Sequence, residues 1–598
     1  MRSRLQHLAR VLKKLAGHLG ARRRPEGAPE SGPPRTPVYL GVDENLDAIK
    51  KMLDPAADLI VRKVKSGKVS FGLAMIDGLI SQDVVDRDIV RALIEGFATE
   101  PAGKGGVPIG AAAKHLAESS ITTISLQRVG FIEDSIGSIL EGRAAVFGEG
   151  WGEALVASVQ QWPSRAVSEP EVESVVRGPR EGFTEDVRTN TSLLRRRLRT
   201  PRLRMEQVRI GRLTSTNVVI AYIHGLTPEH LLELIRRRLS GIDVDGIMES
   251  GHIEELIEDS PLSPFPTIAH TERPDRVAAQ LLQGAAAILT DGTPFVLVVP
   301  MTFAFLVQSS EDYYMRWPVV LGIRLFRWLS LIVAVVAPAL FVMLTAYHQE
   351  LIPTRLAVAI AQQREGVPYP AIVEALLMEF AFEIMIEAGV RLPRPIGSAV
   401  TIVGALVIGE AAVRAGLASE AMVITIALTA LATFALPSYD LAVAARMIRL
   451  PLTVVAGVLG LFGLLASFLA ILIHLATLKS FGVPFLTGLA PLVPSEHLDM
   501  VFRAPWWAMA LRPRLIGYRN VRRIEPRLDL PRVAARWRQQ ATTERVLEEG
   551  GAPPGSGKAR LRVRGKMPPR LESRVVDVGG VHGRGEEAGS APVANKLW

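Results

Sequence analysis

The sequence predicts a duplicated α/β (or α+β) N-terminal region followed by an α-helical polytopic membrane domain, and three observations carry that prediction. From Val38 to about Tyr314, short apolar runs of β type alternate with amphipathic helical stretches. Within that region two segments recur in order, residues 73–79 (LAMIDGL) as 220–226 (IAYIHGL) and 140–150 (LEGRAAVFGEG) as 282–292 (LQGAAAILTDG). Past Arg324 and Arg327 the chain turns apolar, and a mean hydropathy of +0.24 with 48% hydrophobic residues is high for a soluble chain of 598 residues.

Residues 1–37 come first. Leu5, Leu8, Leu12, Leu15 and Leu19 stand at helical spacing among Arg2, Arg4, Arg10, Lys13 and Lys14. This is the pattern of a basic amphipathic helix on a membrane surface, and a basic disordered tail is the other reading. Charge interrupts the apolar run, so it is no signal peptide and the N-terminus is expected in the cytoplasm. A Pro/Gly linker follows. Two soluble subdomains are then expected, at 38–165 and 166–315, joined by a Pro- and charge-rich stretch. In each, a strand ending in Gly-Leu precedes a helix, 83–94 in one copy and 228–239 in the other.

Several chemistries are excluded or weakened. There is no cysteine, which removes disulfides, thiolate metal sites and cysteine nucleophiles. His224 and His230 lack carboxylates at ligand spacing, so no metal is expected. The repeated glycine loops carry neither GxGxxG nor GxxxxGK[ST] and read as tight turns. Near the C-terminus, residues 555–558 (GSGK) imitate the end of a phosphate loop, but Ala552 and Ala559 occupy its required first glycine and its Ser/Thr. No acid, base and nucleophile set stands out, so neither an enzyme nor a cofactor is predicted. The net charge of +9 comes mainly from the two ends and suits anionic lipid; no nucleic-acid partner is expected.

The membrane domain is placed at 316–498 with four to six helices, and a basic, largely disordered tail at 499–598. Spanning candidates are 328–347, with Trp328 and Tyr347 as interfacial anchors and Pro338 as a kink, then 396–415, 422–436 and 452–475. Segment 369–388 either crosses or re-enters. It carries Glu379, Glu383 and Glu387 at intervals of four, which a helix stacks on one face; Glu410 and Arg414 add a charged pair at the same spacing. Ionised groups among apolar residues mark a path or a site, and facing water in an oligomer the stripe would form acidic rings that favour cations. In the packing alternative, Arg391, Arg394 or a partner helix neutralises it. Basic loops place both ends of the chain on the cytoplasmic side, which requires an even number of crossings: four spans with 369–388 re-entrant.

The motif set resembles the GerA family of spore germination proteins. It comprises residues 178–185 (GPREGFTE, with Arg180 and Glu185), 190–197 (NTSLLRRR, with Asn190 and Arg195) and 257–259 (IED, with Glu258 and Asp259). Next come 264–266 (PFP, ending in Pro266), then Thr271, Glu272, Arg273, Pro274 and Asp275, then Asp291, Gly292, Thr293 and Pro294, and 311–314 (EDYY, with Asp312 and Tyr313). The membrane block continues the match through 348–353 (HQELIP), 378–393 (MEFAFEIMIEAGVRLP), 404–410 (GALVIGE) and 503–505 (RAP). The order of so many motifs from Val38 to Pro513 makes the resemblance specific. It covers the A subunits of nutrient germinant receptors and their relative SpoVAF, to which residues 44–46 and 503–507 are the more similar. The resemblance implies a multi-pass protein of the inner spore membrane, in contact with lipids, homo-oligomeric, and acting with B-type (transporter-like) and C-type (lipoprotein) subunits. It implies a role in transducing a nutrient signal and in forming or gating an ion pathway. A stand-alone secondary transporter or a non-conducting scaffold subunit are the alternatives.

Overall fold

The computed structural model describes residues 35–66, 69–98, 125–160, 169–170, 173, 175–391, 409–509, 511–514, 516 and 522–523. The expected N-terminal helix, Arg394, most of the 396–415 candidate and the tail from 524 on lie outside these residues, whereas 499–509, assigned to the disordered tail, is ordered and packs against the start of the bundle. The soluble half contains two five-stranded sheets of the same strand order. The first orders β1 (Leu59–Ser66), β2 (Val69–Ile76), β3 (Leu126–Val129), β4 (Arg143–Gly148) and β5 (Ala154–Ser158) as β1-β2-β4-β5-β3. The second orders β6 (Leu203–Ile210), β7 (Thr216–Ile223), β8 (Ala269–Thr271), β9 (Ala286–Thr290) and β10 (Val296–Val299) as β6-β7-β9-β10-β8. Every pairing within them is antiparallel, which selects the α+β form of the expectation.

Both faces of each sheet are covered, which is why the strands read as apolar runs. Along β2, Phe71, Leu73 and Met75 enter one core with the helical residues Val85, Ile89 and Leu93. The alternating Ala74 and Ile76 enter another with α1 (Val42–Leu53) and α2 (Ile132–Leu140). The second sheet is held between α3 (Val187–Arg197) and α6 (Pro274–Leu281) on one face and α4 (Glu229–Ser240) and α5 (Ser250–Ile257) on the other. The run 285–307 forms β9, β10 and a short helix, all buried.

The duplication reaches the level of single hydrogen bonds. Asn45 Oδ1 accepts from Tyr39 N at 2.8 Å while its amide donates back to Tyr39 O at 2.7 Å. Asn190 does the same to Thr184, at 2.8 and 2.6 Å. The turn glycines match as well: φ is +76° at Gly78 and +77° at Gly225, +78° at Gly150 and +92° at Gly292. Those angles lie where a Cβ is strained, so the motif keeps glycine there.

A helical bundle follows, built from α7 (Trp317–Ala346), α8 (Thr354–Arg364), α9 (Ala371–Arg391), α10 (Glu420–Phe434) and α11 (Tyr439–Thr477). By length and composition, Trp317–Ala346 and Tyr439–Thr477 can each cross a membrane. The structure corrects two expected boundaries. First, α7 begins at Trp317 instead of residue 328, so Arg324 and Arg327 lie inside the helix. Second, 452–475 is not one continuous helix, because α11 breaks at Gly460 (φ 60°, ψ −140°). As one rod its 39 residues would reach about 58 Å. Instead both ends return to one place. Leu441, Ala444 and Ala445 share a core with Leu475 and Leu478. Asp440 lies 3.5 Å from His270, and His474 lies 2.9 Å from Ser263 of the same subdomain. Near the tip, a Cβ on Gly463 would stand 2.5 Å from the Val455 carbonyl, and the Tyr347 hydroxyl donates to the freed carbonyls of Gly457 and Val458 at 2.9 and 3.0 Å. α11 is therefore a helical hairpin of two antiparallel arms.

α9 runs antiparallel to the first arm, with Ile372 against Gly457 near the tip and Glu383 on Arg446 further back. It is a continuous helix of 21 residues, and the chain reverses its direction at Gly460 in α11.

Candidate functional site

Two clusters fasten the bundle to the soluble half. In the first, buried Asp312 accepts from Arg324 Nε at 3.0 Å and Arg327 Nη1 at 2.9 Å, which brings the start of α7 onto the end of the second subdomain. Arg324 also donates to the carbonyls of Asp499 and Phe502, and Arg503 Nε donates to the Asp312 carbonyl at 3.1 Å. Tyr313 donates to Asp499 Oδ1 at 2.9 Å beneath the Arg503 guanidinium; burial, with Asp499 beside it, raises its hydroxyl pKa. The segment that leaves the bundle is thus tied to the one that enters it. A cavity of about 110 Å³ lies beside this collar, walled by Gln280, Gln308, Asp499 and Arg512.

In the second cluster, His270 on β8 stands between Glu254 Oε2 at 3.7 Å and Asp440 Oδ2, at the start of α11, at 3.5 Å. Burial alone would lower the pKa of the imidazole, but the two carboxylates outweigh it and raise it to about 9. His270 is therefore charged at neutral pH and joins a soluble strand to the first arm of the hairpin. Asp259 holds the segment after the second arm, accepting from Arg238 and from Phe481 N, each at 2.5 Å.

The motif residues mainly hold the second subdomain together. Arg273 forks onto Asp275 at 3.1 and 3.0 Å and donates to the carbonyls of Glu173 and Pro179, while Tyr314 donates to Asp275 Oδ2 at 2.6 Å. Thr271 donates to Glu173 at 2.5 Å, the Glu272 carbonyl accepts from Phe183 N, and Pro274 opens α6. Asp291 Oδ1 accepts from Val187 N at 3.2 Å, and Gly292 N donates to the Glu185 carbonyl at 2.7 Å. Pro266 and Pro294 lie in the turns before β8 and β10, Glu258 caps α5, and Arg180 pairs with Glu169 on the surface. Among the described residues, no three His, Asp or Glu side chains converge as a metal site.

The carboxylate stripe points into the bundle. Glu379 is fully buried, 3.5 Å from Arg449 Nε and 3.4 Å from the Thr453 hydroxyl. Glu383 accepts from Arg446 at 3.0 Å and from Arg449 at 3.3 Å. Glu387 pairs instead with Arg391 at 2.5 Å on an exposed surface, and Glu410 with Arg414 at 2.5 Å, also exposed. A fourth carboxylate that sequence reasoning missed, Glu374, is buried nearer the tip and accepts from Ser419 N at 2.7 Å, closing the start of α10. Arg449 is buried and Arg446 half-buried, both on the first arm of α11. Their spacing of three residues, with Thr453 four further on, places all three on one helix face, the signal that could have paired them with the stripe.

Residues 47–515 match the family model described as Bacillus/Clostridium GerA spore germination protein. The chain is 42% identical to spore germination protein KA of Bacillus subtilis, over 79% of this chain and 86% of that one. It is 40% identical to an uncharacterized membrane protein, YfkQ, of the same organism, over 82% of this chain and 95% of that one. Among solved structures, the N-terminal domain of the A subunit of the Bacillus megaterium spore germinant receptor GerK3 is 31% identical, with a TM-score of 0.37, covering 45% of this chain and 99% of that domain.

Proposed function

Because the chain belongs to the GerA family of spore germination proteins, we propose that it is an A-type germination subunit, embedded in the inner spore membrane by its helical bundle. Both ends of the bundle's path lie at the soluble half, so that half and the segment after α11 share the cytoplasmic side. The chain acts with B-type and C-type subunits, relays a nutrient signal through the collar and the His270 contact, and in an oligomer forms or gates a cation pathway.

One observation carries the pathway reading. Glu387–Arg391 stands exposed on a face of α9 shared with the exposed apolar Phe380 and Ile384, and Glu410–Arg414 is exposed as well. Lipid is a poor environment for an ion pair, so these charges belong against a neighbouring subunit or a water-filled path. Glu379 and Glu383, already neutralised by Arg446 and Arg449, serve packing in this reading. That pairing is also what favours a second reading, a non-conducting scaffold subunit.

The test is deletion in the native spore former, followed by potassium and dipicolinate release after nutrient exposure. Slowed release supports a germination role, and unchanged release overturns it. Glu387→Gln and Glu410→Gln then separate the readings: altered potassium flux at normal membrane abundance supports the pathway, and unaltered flux supports the scaffold.

A further inference from the structure

The two soluble copies meet each other through an interface that only one of them has filled. In the first copy the turn after β2, Asp77-Gly78, is covered by α3 of the second. Arg188 pairs with Asp77, and a Cβ on Gly78 would stand 3.0 Å from Ser192 Cβ. Just before β1, Asp58 receives the fork of Arg195. Backbone pairing completes the joint, with Ala57 N donating to Met205 O at 2.9 Å and Met205 N to Pro55 O at 3.1 Å.

The second copy repeats that end with none of the described residues on it. His224-Gly225 follows β7 as Asp77-Gly78 follows β2, with the same backbone angle at the glycine, yet nothing described lies within 4 Å of a Cβ built on Gly225. Arg202, just before β6, stands where Asp58 stands before β1. In the first copy α1 repeats α3. With Asn45 matched to Asn190 by their shared hydrogen bonds, Asp43, Asp47 and Lys50 take the places of Arg188, Ser192 and Arg195, and all three are exposed. β1 is likewise an unpaired sheet edge.

The charges are inverted between the filled and the open joint. Inside the chain an acidic end (Asp58, Asp77) receives a basic helix face (Arg188, Arg195). The open end is basic, with exposed Arg199 and Arg202 beside His224, and the open helix face carries Asp43, Glu44 and Asp47. Asp43 pairs with Lys63 in the single chain, and Lys50 departs from a full inversion. The inversion also disfavours wrong pairing, since the basic end repels a second α3.

We propose that the chain self-associates head to tail, the acidic face of α1 in one copy seating on Arg199, Arg202 and the His224-Gly225 turn of the next. The contact repeats the internal joint between subdomains, so each copy extends a series of like units. It rests on the membrane reading in one respect: bundles anchored in one bilayer hold the copies in a plane, where head-to-tail contact closes as a ring.

The absence of cysteine makes the test specific. Asp43→Cys and His224→Cys, combined in the full-length chain and oxidised in membranes, should give a reducible ladder in multiples of 65.0 kDa. Each single variant should give none, and two co-expressed single variants should give a dimer only. Adding Asp47→Arg should abolish the ladder, and adding Arg202→Glu as well should restore it. No ladder from the double variant at normal abundance, or the same product from a single variant, overturns the interface. A lysine-reactive reagent that still captures oligomers in that case rejects this contact while leaving the germination role standing. A ladder from a chain whose deletion does not slow germination rejects the role and keeps the contact.

Discussion

Two buried arginines, one in each half of the molecule, are held very differently. Arg195, between the soluble copies, has its Nε at 2.7 Å and its Nη2 at 3.0 Å from the two oxygens of Asp58, and its Nη1 at 2.9 Å from the Leu203 carbonyl. Arg449, in the bundle, reaches Glu379 at 3.5 Å and Glu383 at 3.3 Å, and among the described residues its Nε and Nη1 and the Glu379 Oε2 complete no hydrogen bond. A buried charge is tolerated when its geometry is saturated and costs free energy when it is not. The soluble joint is therefore a fixed fastening. Among the described residues the bundle pair is held by fewer and longer contacts.

The largest effect should come from breaking the saturated pair. Asp58→Ala leaves Arg195 buried and alone, at a cost of about 3 to 5 kcal/mol. It should sharply lower the thermal midpoint of the detergent-solubilised chain and its abundance in membranes. Glu379→Gln should cost less, about 1 to 3 kcal/mol, because Arg449 keeps Glu383 and was never fully satisfied. The same thermal measurement compares the two; equal losses would break the contrast between a fastening and a loosely held pair.

A third effect is set by pH and concerns the contact between the halves. The pKa of His270 is raised from 6.5 to about 9 in the fold, so the stabilisation it adds is full below pH 6.5 and is lost as pH rises through about 9. Thermal midpoints of the wild type and His270→Gln should differ at pH 6 and converge by pH 10. A difference that persists at pH 10 would mean that the imidazole acts by shape and not by charge.

Much of the fold was legible in the sequence. The duplication shows in 73–79 and 220–226 because turn glycines at positive φ and strand-end apolar residues are local requirements that each copy must meet by itself. That Asn45 and Asn190 play the same role in the two copies was not legible, since a single asparagine six residues beyond its partner leaves no periodic trace. The hairpin escaped for a related reason. Gly460 sits in an unbroken apolar run, where hydropathy marks lipid-compatible residues but not the direction of the chain.

The sequence by itself determined the local features: the duplication of alternating strands and helices, the apolar block, the carboxylate face of α9 and the motifs that identify the family. Each is written in spacing along one element. Only the tertiary structure decided which elements meet. It paired Glu379 and Glu383 with Arg446 and Arg449, turned α11 back at Gly460, and covered the Asp77-Gly78 turn while leaving His224-Gly225 open. Periodicity records the face a helix or strand presents, but the group opposite that face is set by through-space packing between segments distant in the chain, and no local spacing encodes it.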